Sequence, residues 1–242
     1  MPVDVSVADC ERAQTDWFRV RAETLGEVRT DGPLTWLRTP DALNLMFPEV
    51  MPADGLARAQ HWSRQSGLSI GVWLNLEADA QPVVDAGFEH GWSPWWMKAD
   101  LTTMATPDDP RVELQEESDD YGPRHAAYGA EVALARLRPK QVWYAAAYAQ
   151  SRFPVGRRFA GRAFAHRVGE VAGVFDMAVW PPFQRQGLGT ALLRTVCSAA
   201  RDAGATHAVL NATQEGKLLY DTCGFTQIGE GITWWWHPRA HR

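Results

Sequence analysis

One segment narrows the possible folds of this chain sharply. Residues 174–192, VFDMAVWPPFQRQGLGTAL, run from an apolar strand through a Pro-ended turn into a glycine-rich loop that opens directly into a helix. Leu188, Ala191, Leu192, Val196 and Ala199 recur at helical spacing, and Gly204 stands where a C-terminal cap belongs, so the spacing predicts an amphipathic helix over 188–203. The first N–H groups of a helix lack intrahelical acceptors and the helix dipole is positive there. Gly187 and Gly189 would let an anion approach that backbone closely. A diphosphate suits such a cradle, although a tight strand-to-helix connection needs the same glycines. No Lys-Ser or Lys-Thr follows them, and the spacing is not G-x-G-x-x-G, so neither a P-loop nor a dinucleotide fold is indicated.

The rest of the C-terminal half reads as mixed α/β. Strands are predicted at 111–115, 160–166, 170–179 and 207–211, and over a final stretch ending in Trp234, Trp235 and Trp236. Helices are predicted at 124–136 and 215–222, and the Ala-rich 139–150 also reads as helical. Upstream, Pro107, Pro110 and Pro123 and the acidic run Glu116, Glu117, Asp119 and Asp120 interrupt the apolar pattern, which places a domain boundary near residue 105. The acidic run reads as a solvated face or helix entrance, with a cationic substrate as the minor alternative.

The two halves share a faint repeat. Segments 72–96 and 209–236 each pass from a short apolar strand ending in Asn (Asn75, Asn211) through a helix-like stretch to a Gly-Phe pair (Gly87-Phe88, Gly224-Phe225). Each then enters a Trp-rich strand. A period this long points to duplicated domains rather than a solenoid. The 12 Trp residues are accordingly read as core or interface packing in matching strands.

Composition sets the remaining bounds. Hydrophobic residues at 45% and charged residues at 22% supply a folded core, and a net charge of -5 argues against nucleic acid as a partner. Cys10, Cys197 and Cys223 show no C-x-x-C spacing, and the seven histidines show no H-E-x-x-H, so no disulfide framework and no metal site is expected. Asp4, Asp9, Glu11 and Arg12 break any signal-like run, and no apolar stretch reaches spanning length, so a cytoplasmic location away from membranes is expected.

The run Val179-x-Pro181-x-Phe183-Gln184-x-x-Gly187-Leu188-Gly189, followed by a helix, a strand and Leu219-Tyr220-x-x-x-Gly224-Phe225, resembles the GNAT superfamily of acyl-CoA-dependent N-acyltransferases over roughly residues 110–236. The resemblance implies an α+β fold with a central mixed, mostly antiparallel sheet flanked by helices, here in two tandem copies. It implies acetyl-CoA as co-substrate, with its pyrophosphate on Gln184, Arg185, Gln186, Gly187, Leu188, Gly189 and Thr190. It also implies pantetheine binding by Met177, Ala178 and Val179, and Tyr220 as proton donor to the departing thiolate. Without the resemblance, Tyr220 reads as a half-buried aromatic with a polar handle. The resemblance also places Thr213 among the residues that bind the cofactor, although it stands where many relatives carry Asn, and Gly216 stands where Ala is frequent.

Acetyl transfer to an amine needs a neutral nucleophile, a donor for the oxyanion and an acid for the sulfur. An amide near Met177–Val179 can donate to the oxyanion. For the base the candidates are Asp176, Glu170, the 116–120 cluster, or water, and a structural hydrogen bond is the competing role for Asp176. The N-terminal half shows no Q-x-x-G-x-G loop and has Val84 or Asp85 near the tyrosine position. The expectation is therefore a degenerate GNAT-like domain at 1–105 and a catalytic N-acetyltransferase domain at 106–242. It would act directly, in a ternary complex, on a small-molecule or peptide amine, as a monomer or homodimer. A non-catalytic acyl-CoA-binding or sensing protein is the alternative, and a purely structural scaffold a third reading.

Overall fold

The helix predicted over 188–203 forms as α5, Leu188–Asp202, in a computed structural model of the chain that describes residues 5–152 and 155–238. α5 buries Leu188, Ala191, Leu192, Leu193, Val196, Cys197 and Ala200, one stripe at helical spacing, against the strand layer. Fully burying such a Leu or Val contributes about 1.5–3 kcal/mol each, which makes this helix the clamp on its sheet. It ends at Ala203, and Gly204 follows at φ +106, the conformation a residue without Cβ reaches most easily.

The chain divides into two compact units. One comprises the described residues up to Ala13 with Trp96–Ile228, and the other Gln14–Trp95 with the described residues from Gly229. The N-terminal half supplies α1 (Val7–Leu25), β1 (Glu27–Asp31), β2 (Leu34–Arg38), β3 (Ala42–Met46), α2 (Ala53–Ser66), β4 (Ser69–Asn75), α3 (Gln81–Asp85), the two-residue β5 (Glu89–His90) and β6 (Trp95–Asp100). The C-terminal half supplies β7 (Val112–Gln115), α4 (Ala126–Leu137), β8 (Val142–Arg152), β9 (Val155–Val168), β10 (Val171–Val179), α5, β11 (His207–Ala212), α6 (Gln214–Thr222) and β12 (Thr226–Trp236).

The repeat extends well beyond the segment legible in sequence. Three antiparallel strands, a helix, a strand parallel to the third, a short helix and a last strand occur as β1-β2-β3-α2-β4-α3-β6 and again as β8-β9-β10-α5-β11-α6-β12. The parallel pairs, β3–β4 and β10–β11, occupy equivalent places. In both copies the last strand leaves its own half of the sequence. β6 lies beside β11 in the order β6-β11-β10-β9-β8-β7, and β12 lies beside β4 in the order β1-β2-β3-β4-β12. The expected mixed, mostly antiparallel sheets flanked by helices are thus present in both copies.

The expected helix at 139–150 is instead the strand β8. Ala145, Ala146 and Ala147 favour a helix locally, but they are fully buried in a strand that pairs with β7 and β9 and packs against α4 and α5. Val142, Trp143, Tyr144 and Tyr148 supply the β-branched and aromatic surface that tertiary pairing rewards over propensity. The Trp clusters serve packing. Trp36 lies fully buried with Leu34, Leu56, Ile70, Val72 and Leu74, and Trp234 and Trp236 pack onto the same core from β12.

Candidate functional site

β10 changes character midway. Its parallel pairing with β11 runs from Val171↔His207 to Val174↔Leu210, and its antiparallel register with β9 shifts between Phe175 and Ala178. The residue in the bulge is Asp176, at φ +49. Asp is one of the few side chains that tolerate this left-handed conformation, and a bulge bends its strand. The bend carries Met177, Ala178 and Val179 past the stretch in which β10 pairs with β11. Their edge on that side is available to an extended ligand that hydrogen-bonds as a strand would. The carbonyl of Asp176 accepts a hydrogen bond from Arg162 Nε at 3.3 Å, which supports the bulge, while the Asp176 side chain is exposed.

The loop that follows is built for backbone donation. Trp180 N donates to Ala160 O at 2.8 Å, a 3-10 turn covers Pro181–Phe183, and Gln184 Nε2 reaches back to Val179 O at 2.9 Å. Gly187 caps α5 at φ +81, and no side chain caps the first turn. The amides of Leu188, Gly189 and Thr190 therefore head the helix dipole, beside the exposed Gln184, Arg185 and Gln186. Arg111, anchored to Asp109 at 2.7 Å, donates from Nη2 to Gln186 O at 2.9 Å and pins the loop from outside. Arg111 gave no signal in the sequence, because its partner lies 75 positions away.

α6 closes the site. A Cβ built on Gly189 would lie 3.0 Å from Leu219 Cδ2 and 3.7 Å from Met177 Cε, so the loop, the bulged strand and α6 meet around this glycine. Thr213 caps α6, its Oγ1 accepting from Gly216 N at 3.2 Å. A Cβ on Gly216 would sit 3.0 Å from Tyr220 Cε2, so the glycine makes room for that ring. Tyr220 is 9% exposed, and burial pushes its phenol up to about 12, leaving it a neutral donor across the physiological range.

The first copy lacks each of these features. β3 pairs with β4 along its whole length, from Ala42↔Ser69 to Met46↔Trp73, so no strand edge opens. Phe47-Pro48-Glu49-Val50-Met51-Pro52 takes the place of the glycine loop, with two residues that have no N–H and one carboxylate. The Gly-Phe pairs end α3 and α6 identically, Phe88 N bonding Val83 O and Phe225 N bonding Tyr220 O, each at 3.0 Å. The counterpart of Tyr220 is therefore Val83, not Val84 or Asp85. The conclusion that no phenol stands there is unchanged.

The three cysteines are buried, and burial pushes the Cys10 and Cys197 thiols up to about 12, far from thiolate nucleophiles. Among the described residues, no helix is long and apolar enough to cross a membrane, and no group of three His, Cys, Asp or Glu is placed to hold a metal ion.

Sequence reasoning missed a cluster next to the bulge. Arg162 packs over Tyr128 and Tyr121, whose hydroxyl meets that of Tyr144 at 2.9 Å, and Phe159 links Tyr121, Tyr148 and Trp180 through ring contacts. The acidic run is engaged locally, with Glu117 near Arg136 at 3.4 Å and Asp120 accepting from Tyr148 Oη at 2.7 Å.

Residues 139–227 match the family described as the acetyltransferase (GNAT) domain. A 74-residue stretch is 32% identical to the probable glucosamine 6-phosphate N-acetyltransferase 2 of Oryza sativa subsp. japonica, covering 31% of this chain. The chain spans 45% of that relative's length. Over 98% of both chains the fold resembles a GCN5-related N-acetyltransferase from Kribbella flavida, at a TM-score of 0.62 and 16% identity. A tandem GNAT protein from the clavulanic acid biosynthesis pathway aligns over 99% of both chains, at a TM-score of 0.54 and 13% identity. Residues 139–227 thus carry a match to the GNAT acetyltransferase domain, and the chain has the fold of these GNAT proteins.

Proposed function

We propose that residues 106–242 act as an N-acetyltransferase that moves the acetyl group of acetyl-CoA directly to a primary amine, and that residues 1–105 are a GNAT-like domain without a CoA site of their own. The observation that carries this reading is the meeting at Gly189 of the bulged strand, the glycine loop and the helix bearing Tyr220. Open helix amides at Leu188–Thr190 suit the diphosphate, and the edge of Met177–Val179 suits the amide-rich pantetheine arm.

The amine attacks the thioester carbonyl, and a β10 amide donates to the oxyanion that forms. The C–S bond then breaks, and Tyr220 donates a hydrogen bond to the departing sulfur. An ordinary thiol has a pKa of about 8.5, well below the value near 12 that burial gives Tyr220. Tyr220 therefore stabilises the thiolate chiefly by that hydrogen bond rather than by complete proton transfer. Asp176, directly or through water, takes the proton from the attacking nitrogen. All three cysteines are buried and none is given a nucleophilic role, so transfer occurs within a ternary complex.

Titration calorimetry with acetyl-CoA on the wild-type chain and on Gly187→Val/Gly189→Val tests the binding half, and thiol release over an amine panel tests the chemistry. Binding lost in the variant, together with amine-dependent release in the wild type, is the expected result. Tight binding without release on any amine would favour the acyl-CoA sensor instead.

A further inference from the structure

Arg162 has the geometry of an anion receptor at the acyl end of this site. β9 places it directly opposite Ala178, beside the bulge. Its guanidinium carbon lies 4.4 Å from the Tyr128 ring centroid and 5.5 Å from that of Tyr121, which fixes the plane of the group. Nε donates to the Asp176 carbonyl at 3.3 Å and Nη1 to Tyr121 Oη at 3.2 Å. Both acceptors are uncharged oxygens, and no carboxylate among the described residues lies within ion-pair distance of the guanidinium. Other arginines of the same unit are paired: Arg111 with Asp109 at 2.7 Å and Arg157 with Glu113 at 3.1 Å.

A half-buried guanidinium without a carboxylate partner is a costly arrangement unless something else supplies the counter-charge. Asp176 supplies part of it through space, without an ion-pair contact. Asp120 accepts hydrogen bonds from Tyr148 and Ser118, and Asp176 presents its main-chain oxygen to Arg162. An arginine carries five N–H groups in a fork suited to planar oxyanions, and two contacts leave part of that fork unused.

We propose that Arg162 binds a carboxylate or phosphate on the acceptor, so that the substrates are amines bearing an oxyanion close to the nitrogen. This rests on the acyl-transfer reading of the same site and assigns it a substrate class. It reverses the weak indication toward cationic acceptors drawn from residues 116–120, of which Glu117 lies 3.4 Å from Arg136 and Asp120 accepts from Tyr148 and Ser118.

The test compares amines that differ only in the anion: phenylalanine against phenethylamine, and phosphoethanolamine against ethanolamine. Thiol release from acetyl-CoA is followed with the full chain as wild type, Arg162→Gln and Arg162→Lys. In at least one pair the wild type is expected to favour the anionic member by about tenfold or more in kcat/KM, as a charge-assisted hydrogen bond provides. Arg162→Gln is expected to erase that ratio and Arg162→Lys to keep part of it. Damage to the bulge would lower both members alike, so the ratio isolates the anion contact. The pair that responds tells carboxylate from phosphate. A wild-type ratio near one in both pairs, or a ratio unchanged by Arg162→Gln, overturns the proposal. Should no amine release thiol, the acyl-transfer reading fails separately. Calorimetric binding of the same pairs then decides: about tenfold tighter binding of an anionic member, lost in Arg162→Gln, supports the proposal, and equal or absent binding overturns it.

Discussion

Gln184 Nε2 donates to the carbonyl of Val179 at 2.9 Å, tying the first residue of the glycine loop to the last residue of the bulged strand. The bond fixes the two surfaces that the account assigns to one ligand, the diphosphate and the pantetheine arm, at a set spacing. A neutral hydrogen bond of this kind contributes about 0.5–1.5 kcal/mol, or up to about tenfold in affinity. Gln184→Ala is therefore expected to raise KM for acetyl-CoA by about three- to tenfold with little change in kcat. Steady-state kinetics at saturating amine provides the check.

Gly187→Ala separates backbone strain from side-chain chemistry. At φ +81 an alanine costs about 1–2 kcal/mol. A thermal midpoint lower by about 2–8 °C is expected, along with weaker acetyl-CoA binding, because relief of the strain rotates the first amides of α5. Differential scanning calorimetry with and without acetyl-CoA measures both effects.

His166 makes folding sensitive to mild acid. It is 4% exposed, and burial pulls its imidazole down from the ordinary 6.5 to about 4. The folded state therefore binds this proton more weakly than the unfolded chain. Its contribution is fully present above about pH 6.5 and is lost as pH falls from there through about 4. The loss approaches roughly 3 kcal/mol. Denaturant midpoints between pH 7 and 4 should fall steeply, and His166→Gln should flatten that slope while lowering stability at pH 7.

The alkaline side carries the opposite sign. Tyr220, Cys10 and Cys197 each have a pKa raised by burial to about 12. Stability is fully present below their unfolded values, about 8.5 for thiols and 10 for tyrosine, and is lost as pH rises toward 12. In turnover, Tyr220 remains a donor throughout the assay range, so no basic limb below about pH 10 should trace to it. Denaturation and rate profiles in parallel test both statements.

Exchange of the last strands bears on how the chain can be divided. β6 lies beside β11 and β12 beside β4, so residues 1–105 and 106–242 expressed apart each leave a strand without its neighbour. Each fragment is expected to be insoluble or expanded alone, and co-expression to restore a soluble pair. Gel filtration and circular dichroism distinguish the outcomes.

The sequence was most informative where the interactions are local. The loop Gln184–Thr190 and the stripe of α5 are written in consecutive residues, and both form as expected. The Gly-Phe pairs were legible because each ends a short helix through backbone geometry that needs glycine at the turn. Ala145–Ala147 misled because alanine favours a helix locally, while pairing with β7 and β9, which are distant in sequence, decides the strand. Arg162 was illegible because Tyr121, Tyr128 and Asp176, which define its role, come from three separate elements. The strand exchange left no local mark, since β6 and β12 look the same in sequence whichever neighbour they take.

The central claim is tested most directly by the rate at which the chain releases coenzyme A thiol from acetyl-CoA in the presence of a primary amine, with Tyr220→Phe alongside. Amine-dependent release that falls by about 100-fold or more in the variant, at nearly unchanged acetyl-CoA affinity, is the predicted result. Release that ignores the amine, or a variant as fast as the wild type, would contradict it.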